Sequence, residues 1–269
     1  MNSLSILFII INYFNEKDVK LFIDQLSLQD FKDYKVAIIN NGSIDDGKLK
    51  AMLTGHSNLL FYYPDKNLGY LPGMHYGLQQ YITEYKSLPD QVIVCNTDIT
   101  ITDSHFLNDL NKLRGDIIGP SIISTKTNNN QNPFLIKRIS KKKLRLLKFI
   151  FDFYLFYTIY QALSLIKSSI FKNNNKNNKS QDVYALHGSF IVFRKNFFEA
   201  GGSLNYPSFL FGEELYIAES AIQLKLTLIF HPTISVQHNE HQITNTFKPP
   251  HLVKRMNESI TYLLNTYFS

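Results

Sequence analysis

The sequence predicts an α/β protein whose strands form a mostly parallel, doubly wound sheet. Three observations carry that expectation. Strand-like and helix-like patterns alternate through the first hundred residues. The strand candidates are continuous apolar runs, as strands buried on both faces require, rather than the one-sided alternation of a surface sheet. Polar residues collect where those runs stop, at Asn12, Asn40 to Asp45, Asp65 to Asn67 and Asn96 to Asp98, and such strand ends are where sheets of this kind take ligands.

Leu4 to Ile11 reads as the first strand; it has neither a basic leader nor a small-residue cleavage site, so it does not read as a signal peptide. Val19, Phe22, Ile23 and Leu26 recur at i, i+3, i+4 and i+7, one face of a helix. Val36 to Ile39 is the second strand, ended by the turn composition Asn40-Asn41-Gly42-Ser43. Leu59 to Tyr63 is the third strand, Met74, Leu78, Tyr81, Ile82 and Tyr85 line a helix, and Val92 to Cys95 is the fourth strand. Thr125 to Asn132 is a polar loop. Lys141 to Lys172 opens basic and turns densely aromatic from Phe149 to Tyr160. Helices covering the core, an interfacial membrane helix and a membrane span are its three readings, in that order. Asn173 to Lys179 reads as a low-complexity loop. Tyr184 to Phe193 has strand character, Glu213 to Leu224 is a helix, Leu226 to Phe230 a strand, and Pro250 to Tyr267 an amphipathic helix.

The composition, 44% apolar and 19% charged over 269 residues, is that of a globular domain. The single cysteine, Cys95, lies in an apolar run, reads as a buried thiol and suits a reducing compartment. The net charge of +6 is concentrated: Lys137, Arg138, Lys141, Lys142, Lys143, Arg145 and Lys148 crowd together. No RNA-binding aromatic signature or zinc-finger spacing accompanies them, so nucleic acid is not an expected partner.

The chemistry-bearing residues sit at strand ends. Asn96-Thr97-Asp98 offers oxygen ligands suited to Mg²⁺ or Mn²⁺, although the same pattern serves as a turn or helix cap. Gly212-Glu213-Glu214 follows the bulky run Phe209-Leu210-Phe211, and a base needs a carboxylate among apolar groups; acids also favour any helix start. His238 ends an apolar strand and suits a third metal ligand or a plain hydrogen bond, as does His187 before Gly188. Asn67-Leu68-Gly69-Tyr70 allows close backbone approach to a ligand. Neither a dinucleotide fingerprint nor a P-loop is present.

Each motif alone is unspecific, whereas their order is informative. Ile9-Ile10-Ile11-Asn12-Tyr13, Ile39-Asn40-Asn41-Gly42-Ser43-x-Asp45, Asn67-Leu68-Gly69-Tyr70, Asn96-Thr97-Asp98, His187-Gly188-Ser189-Phe190, Gly212-Glu213-Glu214 and Val236-Gln237-His238 together resemble family 2 glycosyltransferases of the GT-A fold. The likeness is greatest to the rhamnosyltransferase-like branch that builds bacterial capsule and O-antigen, and covers roughly residues 4 to 245.

That resemblance implies one GT-A domain over residues 1–269, with a nucleotide-sugar half to about 120, an insertion over 121–182 and an acceptor half over 183–269. It implies that Asn12, Tyr13, Asn40, Asn41 and Ser43 hold the nucleoside, and that Asn67, Gly69, Asn96 and Thr97 border the donor. His187 and Gly188 would face the acceptor, Asp98 and His238 would bind Mn²⁺ or Mg²⁺, and Glu214 would be the base with Glu213 in support. Asn40 stands where the family has Asp, and Asn96 replaces the first Asp of Asp-x-Asp. The implied activity is inverting transfer from a nucleotide sugar to a hydroxyl of a growing bacterial surface glycan, lipid-linked acceptors included, by a cytoplasmic protein; the basic-aromatic stretch adds the expectation of peripheral contact with the inner membrane face. A sugar-1-phosphate nucleotidyltransferase would need a Gly-rich, Arg-containing loop where Asn12-Tyr13-Phe14-Asn15-Glu16 stands. An inactive sugar-nucleotide or glycan binding module is the non-enzymatic alternative.

Overall fold

The computed structural model describes residues 4–42, 47–170, 179–240 and 247–268, with 165–170 as backbone only. Ser43 and most of the Asn173 to Lys179 run, both singled out from sequence, lie outside the described residues. The elements are β1 (Ile6–Asn12), α1 (Glu16–Ser27), β2 (Tyr34–Asn40), α2 (Gly47–Met52), β3 (Leu59–Tyr62), α3 (Leu71–Tyr85), β4 (Gln91–Cys95), β5 (Ile99–Thr100), α4 (Phe106–Lys112), β6 (Ile117–Ser124), α5 (Lys141–Asp152), α6 (Tyr154–Ile170), β7 (Gln181–Asp182), β8 (Phe190–Arg194), α7 (Lys195–Glu199), α8 (Glu213–Leu224), β9 (Leu228–His238) and α9 (Pro250–Tyr267).

The strands form a nine-stranded sheet in the order β3-β2-β1-β4-β8-β6-β9-β5, with β7 also on β9. β3, β2, β1 and β4 are parallel, and β6 is parallel to β9. β8 enters antiparallel between β4 and β6, while β5 and β7 pair antiparallel with β9. Most strands therefore share one direction, and their carboxyl ends open on one edge. Successive side chains face opposite sides of a sheet. Leu7, Ile9, Ile39 and Val94 enter one core with α3, α8 and α9 residues, while Phe8, Ile10, Ile38 and Ile93 enter another with α1 and α4 residues. Val19, Phe22, Ile23 and Leu26 are the buried face of α1. Each such apolar side chain contributes roughly 1.5–3 kcal/mol on burial, which is what holds helices on both faces.

Two stretches differ from the expectation, and the basic-aromatic stretch takes the helix-pair form that is its first reading. Pairing of the Tyr184 to Phe193 stretch with the central strands begins only at Phe190. Before it, Ser189 N donates to His187 Nδ1 (3.2 Å), a tight bend that takes His187 and Gly188 off the ladder. The last strand runs beyond Phe230 to His238, and its ladder with β6 changes register between Pro120 and Ser121. The basic-aromatic stretch forms two helices, α5 and α6, bent 119° from one another. No single helix among the described residues is long and apolar enough to cross a membrane.

Candidate active site

The carboxyl ends of β1 and β4 and the loops around them enclose a cavity of about 510 Å³, closed on the far side by residues 209–214 and the first turn of α9. A more open hollow of about 790 Å³ between α5 and α9 shares none of its lining residues.

Parallel register sets the floor. Asn12 and Asn40 are opposite one another at the ends of β1 and β2, and Asn12 Nδ2 donates to Asn40 Oδ1 (3.0 Å). Both are buried beneath the cavity rather than lining it. Asn41, the next residue, does line it. Its Nδ2 donates to Gly69 O (2.9 Å), and its Oδ1 accepts from Leu68 N (2.9 Å), so one amide clamps the Asn67–Gly69 loop. Gly69 has φ +84°, and a Cβ there would lie 2.0 Å from Phe209 O. Only glycine lets this loop meet the 209–211 segment, where Tyr70 N donates to Phe209 O (3.0 Å). Tyr13 is 51% exposed at the rim, and Asn15 Nδ2 donates to Thr97 Oγ1.

Glu213 and Glu214 open α8 after Gly212, whose φ of 82° turns the chain into the helix. Successive helix residues point about 100° apart, yet both carboxylates line the cavity. The absent side chain of Gly188 makes room: a Cβ there would lie 3.0 Å from Glu213 Oε1 and 3.2 Å from Glu214 Oε1. Gly188 is held by its carbonyl, which accepts from Tyr70 Oη (2.8 Å). Burial raises the Glu213 carboxyl above its ordinary value, and the neighbouring Glu214 charge raises it further. Burial also raises Glu214, but its own backbone N–H and that of Gly188 (3.3 Å) oppose the rise. The two buried acids therefore differ in two respects, the first of them the neighbour's charge, which raises Glu213. The second is the extra donor that Glu214 has for its ionised form.

The short ladder of β5 with β9 pairs Ile99 with His238 and so brings Asp98 beside His238, Oδ1 to Nε2 3.3 Å. His238 Nδ1 contacts Gln131 Oε1 (2.7 Å), while Gln131 Nε2 donates to Glu240 Oε1. Because Glu240 accepts from the amide nitrogen, the amide oxygen faces the ring, which places a proton on Nδ1 and turns Nε2 towards Asp98. An imidazole nitrogen and a carboxylate oxygen so arranged suit Mn²⁺ or Mg²⁺, with an outer oxygen orienting the ring. No group of three or more His, Cys, Asp or Glu is gathered among the described residues. The protein thus offers two side-chain ligands, and phosphate oxygens and water would complete the shell, the usual arrangement for Mg²⁺.

His187 lines the cavity with its ring 6.0 Å from that of His238. Burial, then the nearby His238, lowers its pKa to about 4, so it is neutral at pH 7. Its Nδ1 accepts from Ser189 N, leaving the proton on Nε2. Asn132 Oδ1 accepts from His187 N (2.8 Å).

Of the residues singled out from sequence, Tyr13, Asn41, Asn67, Gly69, Asn96, Thr97, Asp98, His187, Gly188, Glu213 and Glu214 line one cavity. His238 stands behind Asp98, and Asn12 and Asn40 lie below. Sequence reasoning did not single out Asn15, Tyr70, Ser189, His251 or Leu252 as lining residues, nor Gln131 behind His238. Tyr70 and Ser189 sit inside quoted motifs; the others carry no spacing signal.

No family model matches the chain, and no curated protein matches it. Solved structures do. GalNAc-T7 with UDP, GalNAc and Mn²⁺ superposes with a TM-score of 0.62 at 14% identity, over 98% of this chain and 49% of that one. TarS of S. aureus in complex with UDP-GlcNAc gives 0.59 at 13%, over 97% and 67%. The mannosyltransferase PcManGT of Pyrobaculum calidifontis, in complex with GDP-Man and Mn²⁺, gives 0.51 at 12%, over 97% and 70%. The chain thus has the GT-A fold, and it spans about half the length of the first of these proteins.

Proposed function

We propose that this protein is an inverting glycosyltransferase that moves a sugar from a nucleotide donor to a hydroxyl of a bacterial surface glycan. The observation that carries the reading is the convergence of an acidic pair and an Asp98–His238 pair on one cavity at the strand ends. The likeness to structures holding UDP, UDP-GlcNAc and GDP-Man supports the donor class. The family 2 and rhamnosyltransferase-like assignment, and the division into a donor half to about 120, an insertion over 121–182 and an acceptor half over 183–269, belong to the same proposal.

Tyr13 offers a ring on which the base stacks, and Asn41, Asn67, Asn96 and Thr97 supply hydrogen bonds along the donor, with Asn12 and Asn40 supporting the floor. Asp98 and His238 would hold Mn²⁺ or Mg²⁺, which when bound offsets charge on the leaving diphosphate. Glu214 accepts the proton of the acceptor hydroxyl while that oxygen bonds to the anomeric carbon and the bond to the diphosphate breaks. One displacement inverts the anomeric centre. Glu213, raised by burial and by the charge of Glu214, keeps its proton and donates a hydrogen bond beside it. His187 and Gly188 sit on the acceptor side, next to the acids.

The test is release of nucleoside diphosphate from a panel of sugar nucleotides with Mn²⁺. Turnover of at least one donor, faster with a glycan acceptor, is expected. Donor binding without any turnover would replace the enzyme by a binding module, and pyrophosphate release from a sugar-1-phosphate and a nucleoside triphosphate would make it a nucleotidyltransferase.

A further inference from the structure

We propose that the α5–α6 hairpin docks this protein on an anionic lipid bilayer and so brings the rim of the strand-end cavity to the membrane surface. One side of the hairpin is used internally: Leu144, Phe151 and Tyr157 are buried in the core cluster that includes α9 residues. The other side carries large apolar groups into solvent. Leu155 is 67% exposed, Leu163 62% and Phe149 53%. At the bend the rings of Phe149, Phe153 and Phe156 gather, with centroids 5.7, 5.6 and 5.3 Å apart, and all three are exposed. An aromatic cluster of this kind, unless covered, leaves apolar surface in water that burial would remove.

Charge selects the occupant. Lys142 and Arg145 are exposed and precede Phe149 by seven and four residues, so cations and aromatics share one face of α5. From Lys137 to Ser164 the sequence has seven basic residues and one acid, Asp152, which is engaged by Lys148 and Asn257. A second copy seated on this face would set cation against cation. A bilayer with anionic headgroups accepts the basic residues at its surface and the phenylalanines just beneath. The two helices are bent 119° from one another and neither is long and apolar enough to cross alone, an arrangement that suits a hairpin lying in the interface.

Position links the patch to the cavity. Tyr154 Oη donates to Lys248 O (3.2 Å) and Lys248 N donates to Tyr157 Oη (2.8 Å), which ties the start of α6 to the segment entering α9. Pro250 lines the hollow beside the hairpin, and the next two residues, His251 and Leu252, line the strand-end cavity. A docked hairpin thus presents the cavity rim to molecules carried in the bilayer surface. That the molecule is a lipid-linked acceptor rests on the glycosyltransferase reading, whereas docking itself does not.

The experiment is flotation of the full chain with phosphatidylcholine vesicles, with and without about one third phosphatidylglycerol, at low and high salt. The sequence has no tryptophan, so Phe153→Trp gives a single reporter. Expected are binding to the anionic vesicles, a blue-shifted emission and quenching by brominated acyl chains. The K142Q/K143Q/R145Q variant should partition roughly a hundredfold less, about fivefold per residue. Phe149→Ser with Phe156→Ser should abolish the binding that persists at high salt. Equal binding of the charge variant, or an unchanged emission on vesicles, would overturn docking. A wild-type dimer that these serine variants turn to monomer, with vesicle binding intact, would assign the face to a second copy instead. All these positions are exposed, so the variants should keep the native circular dichroism. Sugar-nucleotide binding by the same variants, measured without vesicles, is read separately: its absence refutes the glycosyltransferase reading and leaves docking standing.

Discussion

Replacing Glu214 by Gln keeps the size of the side chain and removes its basicity. A general base contributes typically 10²–10⁴-fold, about 3–5.5 kcal/mol of barrier. The structure says how that loss should be distributed between the two acids. Glu214 accepts from Gly188 N at 3.3 Å, and Glu213 is raised both by burial and by its neighbour's charge. The Gly188 donor favours the ionised form of Glu214, while burial and a like charge oppose ionisation of Glu213, so the assignment makes Glu214 the base. In Glu214→Gln the neighbouring charge is gone, so Glu213 ionises more readily and the loss should lie nearer about 10²-fold than 10⁴-fold. A base works only when ionised, and burial raises Glu214. Activity should accordingly fall as pH drops through a value above the ordinary carboxylate 4.5. Stability runs the other way. A carboxyl whose folded pKa is raised contributes stability that is full at low pH and lost as pH rises through that raised value. Glu213→Gln should thus raise Tm at alkaline pH and leave it unchanged in acid. The assays are kcat and KM against pH with a saturating donor, and thermal unfolding at both pH extremes. A dead Glu213→Gln beside an active Glu214→Gln would reverse the pair, and two active variants would refute the assignment. An acid limb at the ordinary carboxylate value would refute the role given to burial.

Further outcomes follow from the neighbours of the acids. EDTA should abolish transfer and Mn²⁺ restore it, and Asp98→Ala should weaken Mn²⁺-dependent donor binding in calorimetry; full activity in EDTA refutes the metal reading. Gln131→Leu removes the oxygen that orients His238 and should lower Mn²⁺ affinity about 10–100-fold, measured by electron paramagnetic resonance titration without donor. Unchanged affinity would show that the ring needs no such support. Arg138 donates to both oxygens of buried Glu219, which Tyr184 also meets. Arg138→Ala should cost about 3 kcal/mol, the low end for a broken buried pair because Arg138 itself is half exposed; denaturant unfolding with no shift in midpoint would count against it.

The fold was legible where one physical signal dominated. β1, β2 and β4 are buried on both faces, so their apolar runs stand out, and these runs, like that of the half-buried edge strand β3, stop within a residue or two of the observed ends. β6 escaped because Gly119 and Pro120 interrupt its run; a proline usually marks an edge or a bulge, and Pro120 stands at a register shift in the middle of the sheet. β5 has two residues, too few for any period. The site divides the same way. Asn41 and Asp98, which line the cavity, stand out by type and by position at the ends of apolar runs, where such sheets take ligands, whereas Gly188, inside a stretch read as strand, and Glu214 stand out through the order of the motifs.

What holds those residues left no pattern. Asp98 and His238 meet through the β5–β9 ladder, a pairing that local periodicity cannot announce. Gln131 and Asn132, in a polar stretch that reads only as a loop, contact the two histidines, one at a ring nitrogen and the other at the backbone. They turn the Nε2 of one imidazole towards Asp98 and fix the backbone of the other residue beside Gly188. A single amide at a given distance does this, and many sequences can supply one. The chemistry of a site is thus written in residue types, while its orientation is written in long-range hydrogen bonds. That is why Gln131→Leu, silent in any motif, is the sharper probe of whether His238 is built to bind a metal.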